Sequence, residues 1–286
     1  MDAQNIDNPY WDTVTKIPHS RYAIKDYPFS PGSDGNLLDR SLPDDTPSRD
    51  MLVRKYSWAI PSPETLDLIA QHLDGREVVE IGAGTGYWAK MLSQLGIKVH
   101  AFDTSPPNEE VNGWHAPKVS VEHRHTEETI ADWREMHEAT LAITRLLESA
   151  FGAPGPDGGM EAIFGNPQEP SVGDPYLIQG PSQEMVDVFY PVKRGGVERA
   201  AQYPDAALFL CWPPYNTSMA YDALRFYSGD MLIYCGEGRG GCTASDPFFQ
   251  LVAEEWELVA ENSSTHIAWD GIRDSVAIFT RKEVRA

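Results

Sequence analysis

Two rhythms of apolar residues alternate along the chain, and their order predicts the layout. From Pro63 onward Leu66, Ile69, Ala70 and Leu73 share one helical face, Ser62 is placed to cap that helix, and Gly75 ends it. The run Val78-Val79-Glu80-Ile81 then reads as a buried strand. A glycine loop follows, next a helix with Trp88, Met91, Leu92 and Leu95 on one stripe, and next a strand over Val99–Phe102. A strand, a helix and a second strand at this spacing form a βαβ unit.

Helical spacing reappears from about Glu127 to Phe151, with Trp133, Met136, Ile143 and Leu147 on one face. Residues 152–183 are dense in glycine and proline and too long for an ordinary connection, so they read as an insertion or lid. Apolar runs return at Ala207–Cys211, Met231–Cys235, Trp256–Val259 and Ser275–Phe279. The last two read as an antiparallel pair closing the sheet. The expected fold is α/β, a doubly wound Rossmann-like sheet, mostly parallel with a terminal antiparallel strand. Residues 1–55 are expected to form an irregular N-terminal arm that wraps the domain. Residues 56–286 form the main domain, with an insertion at about 116–187.

Composition narrows the choice of partners. The 43 acidic residues against 23 Lys and Arg give a formal charge of −20, which makes long nucleic acid an unlikely partner because such binding rests on cations that neutralise phosphates. A small-molecule substrate is expected instead, and the oligomeric state is left open. No basic and apolar leader opens the sequence and no apolar run reaches membrane-spanning length, so a cytoplasmic protein is expected. Cys211, Cys235 and Cys242 are an odd number lying in or beside strands, which suggests reduced thiols. His123 and His125 lack further ligands at metal spacing and read as a solvated loop, so no metal is expected.

The glycines carry the first chemical signal. Gly82, Gly84 and Gly86, between a buried strand and a helix, let the backbone turn sharply and approach a ligand. Their spacing differs from the Gly-x-Gly-x-x-Gly that admits a dinucleotide pyrophosphate, which favours a nucleotide-like cofactor without phosphates. Asp103, ending the next strand, suits the two hydroxyls of a ribose.

The segment Val78-Val79-Glu80-Ile81-Gly82-Ala83-Gly84-Thr85-Gly86 resembles motif I of the class I S-adenosylmethionine-dependent methyltransferases, and Asp103 resembles their acidic motif II residue. The similarity spans roughly residues 56–282. It implies the methyltransferase version of the Rossmann-like sheet and S-adenosyl-L-methionine as cofactor. It also places Glu80 near the cofactor's amino group, Gly82, Ala83, Gly84 and Gly86 along its methionine moiety, and Asp103 on its ribose. Tyr87 and Trp88, which open the following helix, and Cys211 join the expected cofactor set. Trp58 and Pro61 precede motif I, and in the resembling fold such a segment abuts the methionine end, where an indole face attracts a sulfonium.

The segment Trp212-Pro213-Pro214-Tyr215 ends a strand in a rigid turn and resembles motif IV of amino-group methyltransferases. It departs from that motif at its first position, where Trp212 cannot accept hydrogen bonds from an amine as Asp or Asn would. Trp212, Tyr215 and Glu237 are the expected catalytic residues, with Glu237 as general base on the glycine-rich turn after Cys235. Arg239 is a candidate clamp for an anionic group and His266 a second base, while Asn112 to His115 are placed to shape the adenine side. The expected function is methyl transfer to a small, planar or nucleoside-like acceptor. The alternatives are another S-adenosylmethionine chemistry, cofactor binding without turnover, and nucleic-acid base methylation.

Overall fold

The computed structural model describes residues 2–19, 28–29, 45–151 and 168–283. The chain divides into two compact units, one of Met1–Pro117 with Gln183–Ala286 and the other of Lys118–Ser182.

The larger unit is built on a seven-stranded sheet. In chain order its strands are β2 (Val78–Ile81), β3 (Val99–Asp103), β6 (Val192–Arg194), β7 (Ala207–Cys211), β8 (Met231–Gly236), β9 (Trp256–Asn262) and β11 (Ser275–Arg281). Their order across the sheet is β6-β3-β2-β7-β8-β11-β9, and β6, β3, β2, β7 and β8 run parallel. The expected doubly wound, mostly parallel sheet is therefore present. The reversed strand is β11, which pairs antiparallel with both β8 and β9 and so lies one position in from the edge. Strands buried on both faces read as continuous apolar runs. In β2 and β7, Val78 and Phe209 join one core while Val79, Leu208 and Leu210 join the other.

Helices α3 (Pro63–Leu73) and α4 (Tyr87–Gln94) bury Leu66, Ile69, Trp88, Met91 and Leu92 in the first core. Helices α6 (Met219–Phe226) and α7 (Asp246–Glu255) bury Ala220, Ala223, Leu224, Phe248 and Leu251 in the second. The Ser62 hydroxyl accepts from the Thr65 amide at the start of α3 (3.2 Å), and Asp74 and Gly75 take left-handed conformations at its end.

The described residues of the N-terminal stretch carry more regular structure than the irregular arm expected of them. Helices α1 (Pro9–Val14) and α2 (Arg49–Lys55) lie within it, capped by Asn8 and Ser48. Tyr10 is fully buried, stacks on Tyr56 at 4.8 Å and accepts a hydrogen bond from the Trp269 indole N–H at 2.9 Å. This arm is part of the core because single anchors such as Tyr10 and Val14 carry its packing without any long periodic run. Strand β1 (Pro28–Phe29) pairs antiparallel with β10 (Ala268–Trp269).

The smaller unit pairs β4 (Lys118–Arg124) antiparallel with β5 (Pro175–Pro181) and contains α5 (Glu127–Phe151). Two expectations change here. His123 sits in β4 rather than a solvated loop, and the His125 ring stacks on Tyr176 at 4.3 Å. The glycine- and proline-rich stretch ends in a strand, where Tyr176, Leu177 and Ile178 supply β-forming side chains. Residues 152–167 of that stretch lie outside the described residues.

Candidate active site

A cavity of about 670 Å³ opens at the carboxyl edge of the sheet, walled by the segments that follow β2, β3 and β7. This is the edge where doubly wound sheets bind ligands. Nine of the eleven expected cofactor residues line it: Trp58, Glu80, Gly82, Ala83, Gly84, Tyr87, Trp88, Asp103 and Cys211. Gly86 does not. It caps α4 at φ 71°, where an added Cβ would meet the Tyr190 carbonyl at 3.0 Å, so it serves helix-to-strand packing. Pro61 is also away from the cavity, its carbonyl accepting from the Asn8 side chain at 2.7 Å.

The glycine loop forms a cradle. Gly82 and Gly84 have φ values of 78° and 53° in the left-handed region, where a side chain is strained. An added Cβ would lie 2.8 Å from the Met219 methyl at Gly82 and 2.3 Å from His115 Nε2 at Gly84. Asp103 fixes the loop by accepting from the Gly84 amide at 2.9 Å and the Ser105 amide at 2.8 Å. A carboxylate offers about four acceptor positions, so two remain for hydroxyl groups.

Glu80 is 2% exposed and its Oε2 has no hydrogen-bond partner. Burial, reinforced by the nearby Asp103 charge, pushes its pKa up to about 8, although the Ala89 amide in the first turn of α4 donates to it. A buried, unpaired carboxyl beside a bare glycine cradle fits a ligand that brings a cationic donor, such as an amino acid ammonium. The cradle, the spare capacity of Asp103 and this orphaned oxygen together fit S-adenosyl-L-methionine.

Trp212 and Tyr215 line the same cavity. The Trp212 ring stacks on Trp58 with centroids 5.0 Å apart and planes 18° apart. Its backbone has φ 51°, a conformation that costs a non-glycine residue about 1–3 kcal/mol. Tyr215 is 65% exposed, so it stands at the mouth rather than in the depth.

Glu237 does not line the cavity. It is buried at 7% exposure, and its carboxylate accepts from the Cys242 amide at 2.6 Å and the Arg273 amide at 2.8 Å. It ties the turn after β8 to the approach to β11, which gives it a structural explanation and removes the geometry expected of a base. Arg239 pairs with Asp246 on the surface at 3.0 Å and is likewise absent from the lining. His266 is 3% exposed, far from the surface position a loop residue would take, and is not among the lining residues.

His115 is the titratable residue this geometry brings forward. Arg54 donates to the carbonyls of Gly113, Trp114 and Ala116 at 3.0–3.2 Å and so shapes the loop that carries it. His115 Nδ1 lies 2.8 Å from the Arg54 carbonyl, which can only accept, so Nε2 keeps its lone pair beside Gly84. Burial lowers its pKa below the ordinary 6.5. The sequence signalled it only through its place in the Asn112–His115 segment.

The family match agrees with this geometry. Residues 54–163 match the family of methyltransferase domains. The ribosomal RNA large subunit methyltransferase M of Marinobacter nauticus is 38% identical over 71 residues, 24% of this chain, and the chain spans only 19% of that relative's length. A protein of the NADB-Rossmann superfamily from Streptococcus agalactiae is similar at 11% identity and a TM-score of 0.35, over 80% of this chain and 72% of that one. The magnesium protoporphyrin IX methyltransferase of Synechocystis PCC 6803 is similar at 10% identity and a TM-score of 0.31, over 77% and 79% of the two chains. The domain match runs across both the glycine cradle and Asp103, so the residues that fit S-adenosyl-L-methionine lie within the segment that is similar to methyltransferase domains.

Proposed function

We propose that the protein transfers a methyl group from S-adenosyl-L-methionine to a small, planar acceptor that is neutral or cationic. The observation that carries this reading is the make-up of one cavity. A glycine cradle and a stacked pair of indoles share it, its only carboxylates are Glu80 and Asp103, and no Lys or Arg lines it among the described residues. A lining without cations offers nothing to pair with a phosphate or a carboxylate. Flat indole faces favour flat or cationic partners. When bound, the cofactor supplies an electrophilic methyl on a sulfonium. The chain's part is to orient the acceptor and to exclude water around it.

A nucleic-acid acceptor has one observation in its favour, the ribosomal RNA methyltransferase to which 71 residues are similar. The charge of −20 and the cation-free lining weigh against it.

The test is incubation with cofactor labelled on its methyl group. The acceptors are a panel of neutral, cationic and anionic heteroaromatic compounds and, separately, structured RNA at about 150 mM salt. Label is expected in neutral or cationic small molecules, with S-adenosylhomocysteine as co-product. Label found only in RNA would replace this reading with nucleic-acid methylation. Cofactor breakdown without methyl transfer would point to another S-adenosylmethionine chemistry, and binding without turnover to a non-catalytic protein.

A further inference from the structure

Trp212 adopts a left-handed backbone conformation that nothing in its side chain favours, so its surroundings must impose it. Three contacts do so. Its amide donates to the Cys235 carbonyl at 2.8 Å, its ring stacks on Trp58, and its indole Nε1–H donates to Asp274 Oδ2 at 2.8 Å. The third joins residues 62 positions apart.

Asp274 lies just before β11, and its side chain is 1% exposed. Its other oxygen has no hydrogen-bond partner. His266, also 1% exposed at the side chain, places Nε2 3.3 Å from that oxygen, close enough to pair by charge yet out of line for a hydrogen bond. Neither ring nitrogen of His266 finds a hydrogen-bond partner in the protein. A buried carboxylate with one partnered oxygen is a poor way to gain stability, since an apolar pair of the same volume would serve the core as well or better. What this pair supplies is direction, because a carboxylate accepts the indole N–H at one angle and so fixes the plane of the ring.

We propose that Asp274, with His266 as its buried partner, is a positioning residue for the methyl-transfer site. It holds the Trp212 indole flat against Trp58, so that the two rings form one rigid wall of the acceptor space. This rests on the proposed function only in assigning that wall to the acceptor. Without the hydrogen bond the Trp212 ring is free to turn about its side-chain torsions and swing into the cavity, closing the space it now bounds.

The test reads the two indoles directly. Rings stacked this closely couple their electronic transitions, giving a paired positive and negative band in circular dichroism that Trp58→Phe and Trp212→Phe should each abolish. Asp274→Ala should abolish it too while keeping a cooperative thermal transition, and Asp274→Asn, whose amide oxygen still accepts from the indole, should restore it. A couplet unchanged in Asp274→Ala, or lost equally in Asp274→Asn, overturns the proposal. Should the alanine variant fail to fold, hydrogen exchange in the unmodified protein decides. The Trp212 indole N–H, identified by its loss in Trp212→Phe, should exchange at least about tenfold more slowly than that of Trp114, which is 66% exposed. Equal exchange rates overturn the assignment. Neither readout needs a ligand, so failure to bind S-adenosylhomocysteine would count against the proposed function and leave the role of Asp274 to be decided by the spectra.

Discussion

Replacing Glu80 with Gln should make the protein more stable at alkaline pH and leave it nearly unchanged near pH 5. The two side chains have almost the same shape, but only Glu can ionise. Below pH 4.5, the ordinary glutamate value, the carboxyl is protonated in both folded and unfolded chains. Between 4.5 and about 8 the unfolded chain releases a proton that the folded chain keeps, so the folded state loses ground as pH rises, and above about 8 that loss is complete. At ~1.4 kcal/mol per tenfold change in proton affinity, the gap from 4.5 to about 8 is worth about 5 kcal/mol. Glu80 is buried, so solvent screening does not reduce this figure much. Urea denaturation of both proteins at several values between pH 5 and pH 9 measures it, and the difference between them cancels the repulsion from the net charge of −20. Curves that stay parallel across that range would falsify the reading of Glu80 as a buried, unpaired carboxyl. Pairing of the S-adenosylhomocysteine ammonium with ionised Glu80 would narrow the difference at pH 9, and an unchanged difference would count against that pairing.

Three further outcomes are expected. Gly84→Val and Asp103→Ala should each weaken S-adenosylhomocysteine binding by calorimetry. The first puts atoms where His115 stands, and the second frees the Gly84 and Ser105 amides and removes the acceptors for two hydroxyls, a loss of about 1–3 kcal/mol. Glu237→Gln should lower thermal stability by about 1–3 kcal/mol, because an amide cannot accept from both the Cys242 and Arg273 N–H groups, while S-adenosylhomocysteine affinity stays unchanged; a fall in that affinity would return Glu237 to the site. The His115 imidazole should titrate below 6.5 when followed by NMR, because desolvation outweighs the hydrogen bond to the Arg54 carbonyl that would raise it, and a value at or above 6.5 would contradict that balance.

The parts legible in the sequence are those fixed by local physics. Strands β2, β7 and β8 declare themselves as apolar runs because both of their faces are buried, and the cradle at Gly82 and Gly84 declares itself because only glycine takes those φ values cheaply. Strand β6, three residues at the sheet edge, is too short to show a period. Strand β4 is exposed at every position and so carries no buried stripe to read. The engagement of Glu237 is hidden in the sequence because a carboxylate among glycines looks available, while the Arg273 amide that donates to it lies 36 residues away. The Asp274–Trp212 bond is illegible for the same reason, since it depends on how β7 and β11 come together across β8.

The loss of Glu237 as a base restricts the chemistry of the acceptor. Among the described residues lining the cavity, Glu80 holds its proton until about pH 8, and burial raises the Cys211 and Tyr87 side chains well above neutral. The Cys242 thiol is raised as well, first by the charge of Glu237. Asp103 is engaged by two backbone amides. The half-buried His115 has its pKa lowered below the ordinary 6.5, first by desolvation, and its Nε2 stands against Gly84, on the cradle. At the indole wall the Trp212 N–H is committed to Asp274, so that residue can neither take a proton nor orient an amine. On the proposed function, an acceptor bound there must therefore be nucleophilic as it arrives, a neutral ring nitrogen or tertiary amine, and the pH dependence of its methylation should follow the acceptor's own ionisation.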